Sequence, residues 1–144
     1  MSDRDYQRQR VYNWEAEWIR PRIDDTIPFE TAVHVGMHIW NELGLDFPPL
    51  FKPLAKQTRN WGGKANRTGV WLPDVTSTKT VIHEIAHSLS SDVEGFSHQH
   101  GPDWVGMYIK LLDRFTSLSL PELLYTLREA KVDFNLGASP VFLK

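Results

Sequence analysis

The chain of 144 residues is long enough for a normal hydrophobic core, and we predict a single domain over residues 1–144. Its composition, 41% hydrophobic and 24% charged, is typical of a water-soluble globular protein. The absence of cysteine excludes disulfide bonds, cysteine-ligated zinc modules and thiol catalysis, and a formal net charge of −2 provides no overall basic field for nucleic acid. No apolar signal region or membrane-length apolar run is present, so we expect a cytoplasmic protein without membrane contact.

Two helices are predicted in the N-terminal third of the chain. Residues 3–20 form a charged amphipathic pattern that places Val11, Trp14 and Trp18 on one face. Residues 28–43 form a second helix that ends before a glycine. We interpret the first helix as solvated on one side and docked through its tryptophans.

The second predicted helix carries His34 and His38, which stand four residues apart as metal ligands often do. No acidic residue lies between them, and the neighbouring side chains are apolar. Core packing therefore explains this pair better than a metal site.

The stretch from Pro48 to Pro73 is rich in proline, glycine and alternating residues, which favours a small sheet. Strands are predicted over Phe51–Thr58 and Gly69–Leu72. Glycines 62 and 63 and Asn66 supply the turns between them.

The motif His83-Glu84-Ile85-Ala86-His87 carries the strongest chemical signal, on a helix capped by Ser77 or Thr78. Residues four apart lie on one helical face, so His83 and His87 can bind the same metal ion. Glu84 lies about 100° further round, where it can accept a proton from a water molecule that zinc activates. This spacing indicates zinc-dependent hydrolysis, although two satisfied histidines and a solvated glutamate would give the same pattern.

A catalytic zinc site usually has three protein ligands and one open position. The extended HExxHxxGxxH pattern is not met, because Ser90 and Val93 occupy the required glycine and histidine positions. A glutamate of a following helix, Glu122 or Glu129, is one alternative. The segment Ser97–Trp104 is better placed, since it offers two histidines after a short polar loop.

HExxH followed by His100-Gly101-Pro102-Asp103-Trp104 at the start of a helix resembles the SprT-like (Spartan-type) zinc metalloproteases, over roughly residues 60–115. The resemblance implies that His100 is the third zinc ligand, with His98 as the competing residue. It also implies an α+β, zincin-like fold in which N-terminal helices and a small sheet precede the HExxH helix and the C-terminal helices.

The residues around His100 agree with this assignment. Gly101 allows an unusual backbone conformation that can aim the imidazole, and Pro102 suits the first turn of a helix. Asp103 is either a second-shell partner of a ligand imidazole or a first-turn carboxylate favoured by the helix dipole. His98 would be a second-shell group or an exposed loop residue.

Two further helices are predicted towards the C-terminus. Apolar residues mark a buried stripe from Pro102 to Phe115, and Ser119 with Glu122 forms a capping box that opens the last helix. Tyr108 lies in the stripe, where a core position competes with a role as oxyanion donor.

These observations predict a zinc endopeptidase in which His83, His87 and His100 bind one Zn²⁺ and Glu84 is the general base. In zincins a substrate chain lies extended beside a sheet edge, and Val70, Trp71 and Leu72 are the predicted edge here. The expected partner is a protein or peptide. The family resemblance also implies DNA, which the net charge does not support.

Two alternatives stay open. A non-catalytic zinc-stabilised binding protein would use the same histidines and close the fourth position with Asp92 or Glu94. A zinc hydrolase acting on a non-peptide substrate would carry the same motif, because HExxH activates water whatever the electrophile.

Overall fold

The structure, a computed structural model, describes residues 5–55, 62–91 and 99–143. It is a mixed α+β fold, as predicted from the sequence. The α-helices of the described residues are α1 (Arg8–Trp14), α2 (Phe29–Glu42), α3 (Thr78–Leu89), α4 (Pro102–Phe115) and α5 (Leu120–Glu129). The strands are β1 (Ile27–Pro28), β2 (Leu50–Pro53), β3 (Lys64–Ala65), β4 (Gly69–Leu72) and β5 (Val75–Thr76). A short 3₁₀ helix, Val141–Leu143, follows.

The N-terminal helix is shorter than predicted and changes its hydrogen-bonding pattern. Helix α1 continues into a π-helical turn, Glu15–Ile19, where the backbone N–H of Arg20 donates to the carbonyl of Glu15 at 2.8 Å. Val11 and Trp14 are fully buried, as the apolar face of the pattern requires. Single π turns are rare, occur mostly inside α-helices and are frequent at functional sites.

The strands form two small sheets. Antiparallel β1 and β5 make one, and the other has the order β2–β4–β3, with β2 parallel and β3 antiparallel to β4. Strand β2 ends at Pro53, earlier than the predicted Phe51–Thr58, whose last three residues lie outside the described part of the chain.

The predicted substrate edge at Val70, Trp71 and Leu72 is wrong. These residues form β4, the central strand, which pairs with β2 along its whole length and with β3 at Val70 and Trp71. A strand flanked on both sides cannot accept a third partner. The sequence pattern missed β3, because two residues are too few for a period-two signal.

The core is built around α3 and α4, which pack against each other. Helix α4 has the predicted bounds, and the tail that follows α5 returns across it. A Cβ atom at Gly106 would overlap the backbone carbonyl oxygen of Asn135, whose N–H donates to the carbonyl of Pro102 at 2.9 Å. A glycine in α4 thus allows two backbones to touch. No helix within the described residues is both long and apolar enough to span a bilayer.

Candidate metal centre

Helix α3 presents His83, Glu84 and His87 because its start is capped twice. The Ser77 hydroxyl accepts a hydrogen bond from Thr80 N–H at 3.2 Å, and the Asp25 carboxylate accepts from Thr78 N–H at 3.0 Å. Such caps satisfy N–H groups that have no partner within the helix. The ring centroids of His83 and His87 then lie 5.0 Å apart on one face.

His100 reaches the same place from the segment before α4. Gln99 has a left-handed backbone with φ of 57°, whereas Gly101 is extended with φ of −71° and ψ of 179°. The unusual conformation predicted for Gly101 is therefore found one residue before His100. Pro102 occupies the first turn of α4, as predicted.

The three imidazoles converge. One ligand atom from each of His83, His87 and His100 lies within 4.8 Å of the others, close enough to bind one metal ion. The Nε2 atoms of His87 and His100 are 3.3 Å apart. Two zinc–nitrogen bonds of about 2.0–2.1 Å at a tetrahedral angle separate the nitrogens by about 3.3 Å, so this pair already has the spacing of tetrahedral ligands.

Among the described residues, the other histidines and acids considered from sequence are not part of this cluster. His34 and His38 are exposed on α2, so the core packing predicted for this pair is wrong. Glu122 pairs with Arg22 at the surface at 3.2 Å. Glu129 ends α5 as an exposed residue. His98, like Asp92 and Glu94, lies outside the described residues.

Trp104 contacts the rings of all three histidines. Its ring lies 4.7 Å from that of His83, 5.0 Å from His87 and 4.8 Å from His100, measured between centroids. The side chain is fully buried, and Tyr108 stacks on its other side at 4.7 Å. The buried, stacked rings of Trp104 and Tyr108 exclude water from one side of the imidazoles and restrict the rotation of the imidazole rings.

Carboxylates from the N-terminal segment contact two of the three imidazoles. Glu15 Oε2 lies 2.9 Å from His83 Nδ1 and also accepts a hydrogen bond from Tyr108 Oη at 2.6 Å. Asp5 Oδ1 lies 3.2 Å from His100 Nδ1. Sequence reasoning missed both acids, because they lie 68 and 95 residues from the histidines they contact.

Asp103 lies in the first turn of α4, the second of the two positions considered for it from sequence, and makes no hydrogen bond to a ligand imidazole among the described residues. Its Oδ1 accepts a hydrogen bond from Asn135 Nδ2 at 2.9 Å, which fixes the C-terminal tail against the start of α4. Tyr108 is fully buried and donates to Glu15, so it occupies the core position that competed with the oxyanion role.

Glu84 is buried at the side of the cluster and weakly held. Its Oε1 has no hydrogen-bond partner among the described residues. Its Oε2 faces Gly63, where a Cβ atom would lie only 3.0 Å away. Buried carboxylate oxygens normally have partners, so the unpartnered Oε1 makes Glu84 a candidate for chemistry at this site.

The electrostatics of the metal-free protein favour neutral ligand imidazoles at two positions. Burial lowers the pKa of His100 to about 4 and that of His87 well below its ordinary value, and the positive charge of His83 adds to both effects. Burial alone would lower the pKa of His83, but the Glu15 carboxylate outweighs it and raises that pKa. Neutral imidazole is the form that binds metals.

The two buried glutamates have opposite shifts. Burial raises the pKa of Glu84 to about 7. Burial acts in the same direction on Glu15, but His83, Lys79 and Tyr108 outweigh it and lower the pKa of Glu15 to about 2. Two acids whose pKa values are pushed apart can take different roles, one as a fixed charge and one as a proton carrier.

No protein-family model, curated protein or solved structure matches this chain. The site itself offers three convergent imidazoles, two carboxylates that contact them and one buried glutamate with an oxygen that has no partner among the described residues.

Proposed function

We propose that this protein is a zinc-dependent peptidase of the SprT-like type. The observation that carries the proposal is the position of Glu84, a buried acid beside three imidazoles that lie within 4.8 Å of one another. The motif resemblance supports it. So does the chain order of α2, a small sheet, α3 and α4, which is consistent with a zincin-like fold.

His83, His87 and His100 would hold the ion. Three imidazoles form a donor set that suits zinc and leaves a fourth position for water or substrate. When bound, zinc acts as a Lewis acid that activates water and polarises a carbonyl group. The 3.3 Å spacing of two Nε2 atoms and the unpartnered oxygen of Glu84 both fit such an ion.

Glu84 would move the protons. Its Oε1 is available to accept the proton of the attacking water, since it makes no hydrogen bond within the described residues. The protonated side chain would then donate to the leaving amine nitrogen, which returns Glu84 to its starting form. Gly63 leaves room for the carboxylate during this exchange.

The substrate would be a protein or peptide that lies along β3. This strand is the edge of its sheet on the side of α3, and Gly63 just before it contacts the Glu84 side chain. It replaces β4 as the element beside which an extended chain would lie.

The test combines metal analysis with proteolysis. Purified wild-type protein is expected to bind one zinc per chain and to cleave casein or a member of a peptide library, with loss of activity on chelation. Glu84→Gln should bind the same amount of zinc and cleave at a rate at least about 100-fold lower, since general-base catalysis contributes about 10²–10⁴-fold. Equal cleavage by the variant, or no cleavage of any peptide by the zinc-loaded protein, would contradict the proposal.

A parallel reaction with single-stranded DNA addresses the family substrate. The net charge of −2 provides no electrostatic reason for DNA to bind, so equal rates with and without DNA are expected. Stimulation that disappears at high salt would show that a local basic surface overrides the net charge.

A further inference from the structure

Glu15 is a buried acid that contacts three side chains through one carboxylate oxygen. Only 6% of its side chain is exposed, and one oxygen, Oε2, contacts His83 Nδ1 at 2.9 Å, Tyr108 Oη at 2.6 Å and Lys79 Nζ at 3.8 Å. A buried carboxylate is costly unless it is paired and hydrogen-bonded. These contacts place the charge of Glu15 directly behind a ligand imidazole.

The contact defines which nitrogen of His83 faces the metal cluster. Because Nδ1 points to the Glu15 carboxylate, the neutral, metal-binding form of His83 keeps its proton at Nδ1 and presents the lone pair of Nε2. Glu15 is the first residue of the π turn, Glu15–Ile19, so this turn begins at the residue that contacts His83.

His100 is held in the same manner by the beginning of the chain. Asp5 Oδ1 lies 3.2 Å from His100 Nδ1 and 3.3 Å from its backbone N–H, and Gln7 Nε2 donates to the carbonyl of His100 at 2.9 Å. Gln7 is 1% exposed and also bonds the backbone of Asp133. The N-terminal segment therefore contacts both the ring and the backbone of the third histidine.

We propose that Glu15 and Asp5 are positioning residues of the metal centre, each fixing one ligand imidazole so that Nε2 faces the ion. The N-terminal segment is then a functional part of the site, although it lies outside the HExxH and HGP motifs. This inference rests on the metal binding assumed in the proposed function, but not on peptide cleavage.

The first experiment measures zinc affinity by competition with a chromophoric chelator, using Glu15→Gln and Asp5→Asn in the full chain. Each variant is expected to bind zinc about 10–100-fold more weakly than wild type, the usual effect of removing a carboxylate behind a ligand histidine. Unchanged affinity in both variants would overturn the proposal.

Thr126→Val is the matched control. Thr126 Oγ1 accepts a buried hydrogen bond from Trp14 Nε1 at 2.8 Å, so this variant weakens docking of the same N-terminal helix without touching a histidine. It should lower the Tm of the metal-free protein and leave zinc affinity within about threefold of wild type. An equal loss of affinity in Thr126→Val would assign the effect to helix docking and overturn the positioning role.

A second measurement needs no variant, so it decides the matter even if Glu15→Gln fails to fold. Long-range nitrogen–proton NMR spectra of the zinc-loaded wild-type protein should show His83 and His100 protonated at Nδ1 and metal-bound through Nε2. Metal binding through Nδ1 of His83 would overturn the proposal. If the wild-type protein binds no zinc, the proposed function fails; if it binds zinc but the variants match it, only this inference fails.

Discussion

Gly63 lies against the carboxylate of Glu84, so closely that a Cβ atom at this position would stand 3.0 Å from Oε2 and 3.1 Å from Cγ. Contacts of this length are tight, so the Glu84 side chain would have to shift by a few tenths of an ångström. The loop before β3 thus defines where the Glu84 side chain can lie, and a glycine is needed for that position.

We predict that Gly63→Ala separates metal binding from turnover. The added methyl group should shift the Glu84 carboxylate by a few tenths of an ångström. Small misplacements of a catalytic group are costly, since one of about 1 Å can reduce a rate by about 100-fold. Peptide cleavage should therefore fall by at least about tenfold, while zinc affinity stays within about threefold, since no histidine is touched.

Gly62→Ala is the control for this substitution. Gly62 has a left-handed φ of 75°, so alanine strains the same loop, yet its Cβ atom would meet nothing within 4 Å among the described residues. A similar loss of cleavage in both variants would assign the effect to loop strain and contradict the role of the Gly63 contact.

Glu84 should make the metal-free protein less stable as pH rises from about 4.5 to about 7. Its folded-state pKa of about 7 exceeds the ordinary 4.5, so the folded form keeps a proton that the unfolded chain releases between these values. The contribution of Glu84 to the free energy of unfolding therefore falls as pH rises through this window. The difference of 7 − 4.5 = 2.5 pH units corresponds to about 3 kcal/mol as an upper value.

Because glutamine does not ionise, Glu84→Gln should gain stability relative to wild type as pH rises from 4.5 to 8, by up to about 3 kcal/mol. Urea denaturation in the presence of a chelator measures this. Glu122→Gln is the control, because hydrogen bonds from Ser119 and Arg22 lower the pKa of the exposed Glu122. Its stability relative to wild type should therefore not rise with pH. A pH-independent difference for Glu84→Gln would contradict the prediction.

His100→Ala should remove the metal, because His100 supplies one of the three convergent ligand atoms. We expect zinc affinity to fall by at least about 100-fold, as for the loss of a ligand from a three-histidine site. His98→Ala and the exposed His38→Ala should bind zinc as wild type does. The opposite result for His98 and His100 would transfer the ligand role to His98.

Gly106→Ala should detach the C-terminal tail from α4. The new Cβ atom would overlap the carbonyl oxygen of Asn135, which is backbone and has little freedom to move. Overpacking of this kind costs about 1–3 kcal/mol, and chemical denaturation measures it. Gly137→Ala in the same tail should cost less, since its Cβ atom would meet only Asn135 Oδ1 at 3.4 Å.

The local parts of the site were predictable because they depend on short-range geometry. The spacing of His83 and His87 follows from helical periodicity, and Ser77 is the cap that its residue type indicated. Helix α4 has the predicted bounds, since Pro102 starts it and its apolar stripe ends at Phe115. Each of these features depends on residues that are close together in the sequence.

The remote parts were not predictable from one sequence. Glu15 and Asp5 resemble other acids of a charged N-terminal helix, and only the tertiary fold brings them to His83 and His100. Strand β3 has two residues, too few for a pattern, so β4 was assigned to the wrong place in its sheet. For Asp103 the sequence left two roles open, and only the fold shows that its side chain accepts a hydrogen bond from Asn135, 32 residues away.

The crystal structure of the zinc-loaded protein tests the central claim most directly. We predict one ion held by His83, His87 and His100, with a solvent molecule in the fourth position beside Glu84. Imidazoles that bind no common ion, or a fourth position closed by Asp92 or Glu94, would contradict the account.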